Sequence, residues 1–125
     1  MLTIGLTYTA RTVVDNHNTA AAYGSGSVDV FATPAMVALM ENAARHAVAE
    51  HLPEGSSTVG TAINIVHTRA TPVGNDVSAT ATLKSVDGRM LVFEVVATDT
   101  HGEIGRGSHT RFVIDVERFM GKLQK

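Results

Sequence analysis

Hydrophobic and polar residues alternate from the start of the chain. Leu2, Ile4, Leu6 and Tyr8 are separated by Thr3, Gly5, Thr7 and Thr9. A period of two predicts a half-buried strand, continuing through Val13 and Val14. Asp15-Asn16-His17-Asn18-Thr19 is a turn cluster. Residues 20–23, Ala-Ala-Ala-Tyr, make a short helical turn, and Gly-Ser-Gly-Ser at 24–27 is a flexible connection. The period then changes. Met36, Met40, Ala43, Ala44, Ala47 and Val48 recur at helical spacing. They predict one long helix over about 34–51. Thr33-Pro34 marks its start, with Thr33 as N-cap and Pro34 at the first helical position. Leu52-Pro53-Glu54-Gly55 ends it. Glu41 falls on the border of the apolar stripe, only a little past Val37 and Val48.

Four strands are expected after the helix. Residues 58–69 carry Thr61, Ile63, Ile65 and His67 on one face. Residues 76–86 alternate Val77, Ala79, Ala81 and Leu83 with Ser78, Thr80, Thr82 and Lys84. Asp87-Gly88 is a hairpin signal. Residues 89–98 return with apolar side chains on both faces, so this strand is expected at the centre of a sheet. Residues 104–116 form the last strand, with Gly105 and Gly107 leaving room on one face, and 117–125 are a short amphipathic tail. A long helix beside an antiparallel sheet is an α+β architecture in one domain, 1–125. One helix covers only part of such a sheet, so an edge or open face is expected to pair with a second copy.

Composition narrows the function classes. The 125 residues are 44% hydrophobic and 18% charged, with a formal net charge of -2. No basic cluster suggests a nucleic-acid face or a polybasic membrane patch. No cysteine is present, which removes thiol nucleophiles, disulfides and cysteine metal sites and suits the cytoplasm. The N-terminus lacks the charged and apolar regions of a signal peptide. No apolar run approaches the length of a membrane span. The six histidines form no metal-site spacing, so neither a metal nor another cofactor is expected.

Three side chains could carry chemistry together. His67 faces the helix side of its strand and titrates near neutrality, so it can act as acid or base. The plain alternative is a hydrogen-bonded core or rim histidine. Thr33 could attack a carbonyl or orient a water beside the helix N-terminus, where free N–H groups can hold an oxyanion. The plain alternative is a cap. Glu41 could serve as general base or orient His67; otherwise it is a partly solvated border residue. A hydroxyl, a carboxylate and an imidazole are the parts of a hydrolytic triad. Gly60 permits close backbone approach to a ligand. Arg111 could hold an anion bidentately, or make a surface ion pair.

The segments Val30-Phe31-Ala32-Thr33, Met36-Val37-Ala38-Leu39-Met40-Glu41, Val59-Gly60-Thr61-Ala62-Ile63 and His67-Thr68-Arg69-Ala70-Thr71-Pro72-Val73-Gly74 follow one another in a telling order. Together with Glu103–Arg111 and Glu117-Arg118-Phe119 they resemble the fluoroacetyl-CoA-thioesterase-like group of hotdog-fold proteins. The resemblance implies a long helix wrapped by an antiparallel sheet and a homodimer, or a higher oligomer, with active sites near the subunit interface. It implies hydrolysis of an acyl-CoA thioester. The family's Thr, Glu and His fall on Thr33, Glu41 and His67, a backbone-donor Gly on Gly60, and a site-fixing Arg on Arg111. The fluoroacetyl-selective enzyme has a Phe-bearing lid before its Val-Phe-Ala-Thr stretch. Here residues 20–29 are shorter and lack Phe, so a more open acyl pocket is expected. The alternative is a non-catalytic hotdog dimer that binds acyl-CoA or another small ligand. Enoyl-CoA hydration usually requires an Asp–His arrangement, and the helix has no Asp to supply it.

Overall fold

The computed structural model describes residues 2–124. Lys125, the last residue of the expected tail, and Met1 lie outside the described residues. The elements run β1 (Thr7–Val13), α1 (Ala20–Tyr23), α2 (Thr33–Ala49), β2 (Ser56–His67), β3 (Asp76–Asp87), β4 (Met90–Asp99), β5 (Gly102–Asp115) and α3 (Val116–Lys122). The five strands make one antiparallel sheet in the order β1-β3-β4-β5-β2. β4 is therefore central, as its two apolar faces demand, and β1 and β2 are the edges.

α2 lies across one face of this sheet. Its buried stripe is Ala35, Met36, Met40, Ala43, Ala44, Ala47 and Val48. Four of these are alanines, which let the helix backbone sink close to the strands. The opposing layer is Val77, Ala79, Ala81 and Leu83 of β3 and Leu91, Phe93, Val95 and Ala97 of β4, all buried. Each large side chain sealed here contributes roughly 1.5–3 kcal/mol. The expected layer architecture is the observed one. No helix among the described residues is long and apolar enough to cross a membrane.

Three local expectations change. The first strand begins at Thr7, because Gly5 takes a left-handed φ of 101° and turns the chain. Leu2 and Leu6 still pack on the core from outside the strand. At the start of α2 the N-cap is Ala32, in extended backbone, with no side-chain cap. Thr33 is the first helical residue, so its hydroxyl is not used as a cap. The third change is in β2, whose register against β5 shifts between Gly60 and Ala62. Thr61 is the extra residue of a β-bulge. Residues 60 and 67 differ by an odd number and would point to opposite faces of a regular strand. The bulge resets the phase. Gly60, paired with Arg111, and His67, paired with Gly105, thereby share the helix-facing side.

Candidate active site

Thr33 and His67 are brought together by different elements. Pro34 just inside the helix start fixes the backbone of the first turn. The peptides before it are tied down by Phe31 N–H donating to Thr71 O at 2.8 Å and Ala32 N–H donating to Asn18 O at 2.9 Å. His67 ends β2. The Thr33 Oγ1 to His67 Nδ1 distance is 2.8 Å, a full hydrogen bond. The hydroxyl that the sequence suggested as a cap is spent on the imidazole instead.

His67 is further marked by its other nitrogen. Nε2 is buried and has no hydrogen-bond partner among the described residues. An orphaned polar atom of this kind costs about 1–3 kcal/mol, and in a native fold it calls for an explanation. Burial also lowers the His67 pKa, an effect that contact with the Arg69 backbone only partly offsets. The ring is thus held neutral near pH 7, the form a general base requires. The two residues border a cavity of about 260 Å³, beside Ala20, Ser25 and Arg69. α1 shapes its upper rim. That turn is capped by Ala22 N–H donating to Thr19 Oγ1 and closed by left-handed Gly24.

Glu41, Gly60 and Arg111 form a second cluster. A Cβ at Gly60 would lie 3.0 Å from Glu41 Oε2, 3.1 Å from His109 Cε1 and 3.3 Å from Arg111 Nη1. Glycine is thus the residue that lets these three groups converge on the strand. Arg111 is buried, not a surface ion pair. Its Nε donates to Thr58 Oγ1 and its Nη2 to Thr58 O, both at 2.8 Å. Nη1 lies 3.1 Å from His109 Nε2. His109 Nδ1 lies 2.8 Å from the Ala62 carbonyl oxygen, so Nδ1 carries the proton and Nε2 accepts from Arg111. Burial lowers the pKa of His109, helped by the Arg111 charge and opposed by the Ala62 carbonyl and Glu41. Arg111 is lowered by burial as well, against the pull of Glu41. The groove over this cluster encloses about 390 Å³ between α2 and the β2 edge.

The five residues singled out in the sequence therefore fall into two groups within one chain. Thr33 and His67 meet. Glu41, Gly60 and Arg111 meet elsewhere, because Glu41 follows Thr33 by eight positions, roughly 12 Å along a helix. His109 is the site residue that sequence reasoning passed over. Its signal was parity with Arg111 on β5, readable from the sequence; its contacts with Arg111 and the Ala62 carbonyl depend on the pairing of β2 with β5. Among the described residues no group of three or more His, Asp or Glu could hold a metal ion.

Comparisons with known proteins identify the family and the fold. A family model described as fluoroacetyl-CoA-specific thioesterase matches residues 14–117. The fluoroacetyl-CoA thioesterase of Streptantibioticus cattleyicolor is 48% identical over 97 residues, which are 78% of this chain and 70% of that protein. A solved structure of the fluoroacetyl-CoA thioesterase FlK is 42% identical and superposes with a TM-score of 0.91, covering 99% of this chain and 96% of that one. A thioesterase superfamily member from Thermus thermophilus is 25% identical, with a TM-score of 0.91 over 99% of this chain and 92% of its own.

Proposed function

Because the chain belongs to the fluoroacetyl-CoA-specific thioesterase family, we propose that it hydrolyses a small or medium acyl-CoA thioester in the cavity that holds Thr33 and His67. The observation that carries this reading is the 2.8 Å contact between the Thr33 hydroxyl and His67 Nδ1, next to an uncapped helix start. The thioester carbonyl sits beside the first turn of α2. Thr33, or a water that it holds, attacks the carbonyl carbon. The new C–O bond forms as the C=O electron pair moves to oxygen, and His67 takes the proton. The oxyanion is stabilised by first-turn amides and the positive end of the helix dipole. Collapse of the intermediate breaks the C–S bond, and the proton passes from His67 to the departing CoA thiolate. Where Thr33 is the nucleophile, a water then attacks the acyl-Thr33 ester, its proton goes to His67 and from there to the departing Thr33 Oγ1, and the acid is released. Trapping of an acyl-Thr33 species in rapid-quench experiments separates attack by the hydroxyl from attack by water.

Glu41 cannot join this pair within one chain, and the reading therefore includes a homodimer. β2 is an edge strand, and residues 60–64 on it are exposed. A two-fold related copy paired antiparallel about Ile63 and Asn64 sets the partner's Gly60 opposite His67. The partner's Glu41 and the partner's Arg111 arrive with it. Glu41 then assists or orients His67, the Gly60 amide donates to the oxyanion, and Arg111 fixes the strand that carries it. Such an interface is isologous, so each dimer carries two sites.

The test is a thiol-release assay over short, branched, aromatic and long acyl-CoAs. His67→Ala and Glu41→Ala each lower kcat/KM for the best substrate by more than ~10², the scale of a lost acid–base group. Mixing the two inactive variants restores about a quarter of wild-type activity, because half the dimers are mixed and each mixed dimer holds one complete site. Near-normal turnover in both variants sinks the assignment. Absence of rescue on mixing overturns the shared two-chain site. Tight acyl-CoA binding with no thiol release across the panel supports a binding protein instead.

A further inference from the structure

The wall of the Thr33–His67 cavity holds one formally charged residue, Arg69. It sits two positions beyond His67, where β2 has ended. Its guanidinium is held in place. Nη2 donates to Asp99 Oδ1 and, at 3.4 Å, to the Gly102 carbonyl. Asp99 closes β4, and its side chain is only 2% exposed, against 42% for Arg69. The carboxylate is shared. It also accepts from the Thr71 hydroxyl at 2.9 Å and from the His101 amide at 2.7 Å. Burial works against its charge, but these two hydrogen bonds and the Arg69 guanidinium together hold its pKa below the usual range.

Two consequences follow from this geometry. Asp99 is shared among three donors and engages Arg69 through Nη2 alone. Only Nη2 of Arg69 is used within the described residues. Nε and Nη1 remain as donors on a half-exposed, pre-oriented guanidinium. A planar guanidinium held in this way loses little freedom when one of its free N–H groups donates to a second oxyanion.

We propose that Arg69 is a specificity-determining residue that binds an anionic oxygen group of the substrate through a free N–H of its guanidinium, with Asp99 as its positioning partner. The group is either a phosphate of CoA or the distal carboxylate of a dicarboxylic acyl chain. The proposal rests on the acyl-thioester reading of the cavity, and it adds a recognition role that the Thr33–His67 chemistry does not need.

Four compounds separate the possibilities: acetyl-CoA, acetyl-pantetheine, glutaryl-CoA and glutaryl-pantetheine. Their affinities are measured by calorimetry, and their KM and kcat by thiol release, for wild type, Arg69→Gln and Arg69→Lys. Gln keeps an amide donor for Asp99 while removing the charge, and Lys keeps the charge while removing the planar guanidinium. Melting temperatures of both variants confirm that the Asp99 loop is intact. Arg69→Gln weakens binding and raises KM by about 10- to 100-fold for the compounds that carry the recognised anion, the range of a lost charged hydrogen bond, with kcat within two-fold. Arg69→Lys loses less. Loss for both CoA compounds but neither pantetheine compound assigns the phosphate. Loss for both glutaryl compounds but neither acetyl compound assigns the acyl carboxylate. Changes below two-fold for all four compounds, or equal losses for all four, overturn the proposal. Anion-dependent binding without thiol release retires the thioesterase reading and leaves the role of Arg69 standing.

Discussion

Replacing Thr33 by Val removes one hydroxyl and keeps the side-chain shape, which isolates the contact on which the site rests. The structural cost is bounded. The lost bond to His67 Nδ1 is worth about 0.5–1.5 kcal/mol net. An imidazole left without that partner adds up to about 1–3 kcal/mol if water cannot reach it. Thr33 itself is exposed, so water can take the place of the hydroxyl and the lower part of this range applies. For a chain of this size a loss near 1 kcal/mol lowers Tm by roughly 3–5 °C. The catalytic cost has a different scale. Without a hydroxyl to attack or to hold water, and with His67 no longer oriented, kcat/KM falls by at least ~10². Thiol release on the best acyl-CoA and a thermal melt on the same preparation give both numbers. Thr33→Ser retains the hydroxyl and stays within about ten-fold of wild type. A Thr33→Val protein that melts a few degrees lower but turns over within three-fold of wild type would refute the reasoning.

Two further expectations concern charge and space. The lowered pKa of His67 places the acid limb of kcat/KM below pH 6.5; a limb midpoint above that value contradicts the assignment of a buried neutral base. His67 and His109 both bind a proton more weakly folded than unfolded. The stability from their neutral rings is complete above pH 6.5 and is lost as pH falls through the lowered folded values, which urea midpoints between pH 7.5 and 5 will register. Gly60→Ala pushes a methyl to 3.0 Å from Glu41 Oε2. It costs about 1–2 kcal/mol of stability by overpacking and at least ten-fold in kcat/KM as Glu41 is displaced. Full activity in that variant would mean that Glu41 can move without consequence.

The large-scale fold was legible because its signals are local and repeated. The helical spacing from Met36 to Val48 and the two-sided apolar pattern of β4 each specified a layer and a place in it. Asp87-Gly88 announced the β3–β4 turn. The site was less legible, because its geometry depends on events that leave little trace in sequence. Thr33-Pro34 has the form of a cap, yet Ala32 takes the N-cap position and frees the hydroxyl. The bulge at Thr61 has no sequence mark beyond its glycine neighbour, and without it Gly60 and His67 point to opposite faces. His109 and Arg111 share a face by simple parity. That they interlock with Thr58 and Ala62 follows only from the pairing of β2 with β5. Family resemblance named Thr33, Glu41 and His67 together. The distance along α2 shows that one chain alone does not assemble them.

Gly105 has a role that reaches beyond packing. It pairs with His67 across the β2–β5 ladder. A Cβ on it would lie 2.8 Å from both Sδ and Cε of Met36 and 2.6 Å from the Val66 carbonyl oxygen. Met36 is three residues after Thr33, in the opening turn of α2. One bare position on β5 therefore gauges how deep the helix start can settle, and with it the gap between hydroxyl and imidazole. That gap has a tolerance of a few tenths of an ångström before a hydrogen bond is lost. A single methyl added at residue 105, directly across the ladder from His67, would act as a shim between the start of α2 and the β2 backbone. On the proposed mechanism it lowers kcat by spoiling the Thr33–His67 hydrogen bond.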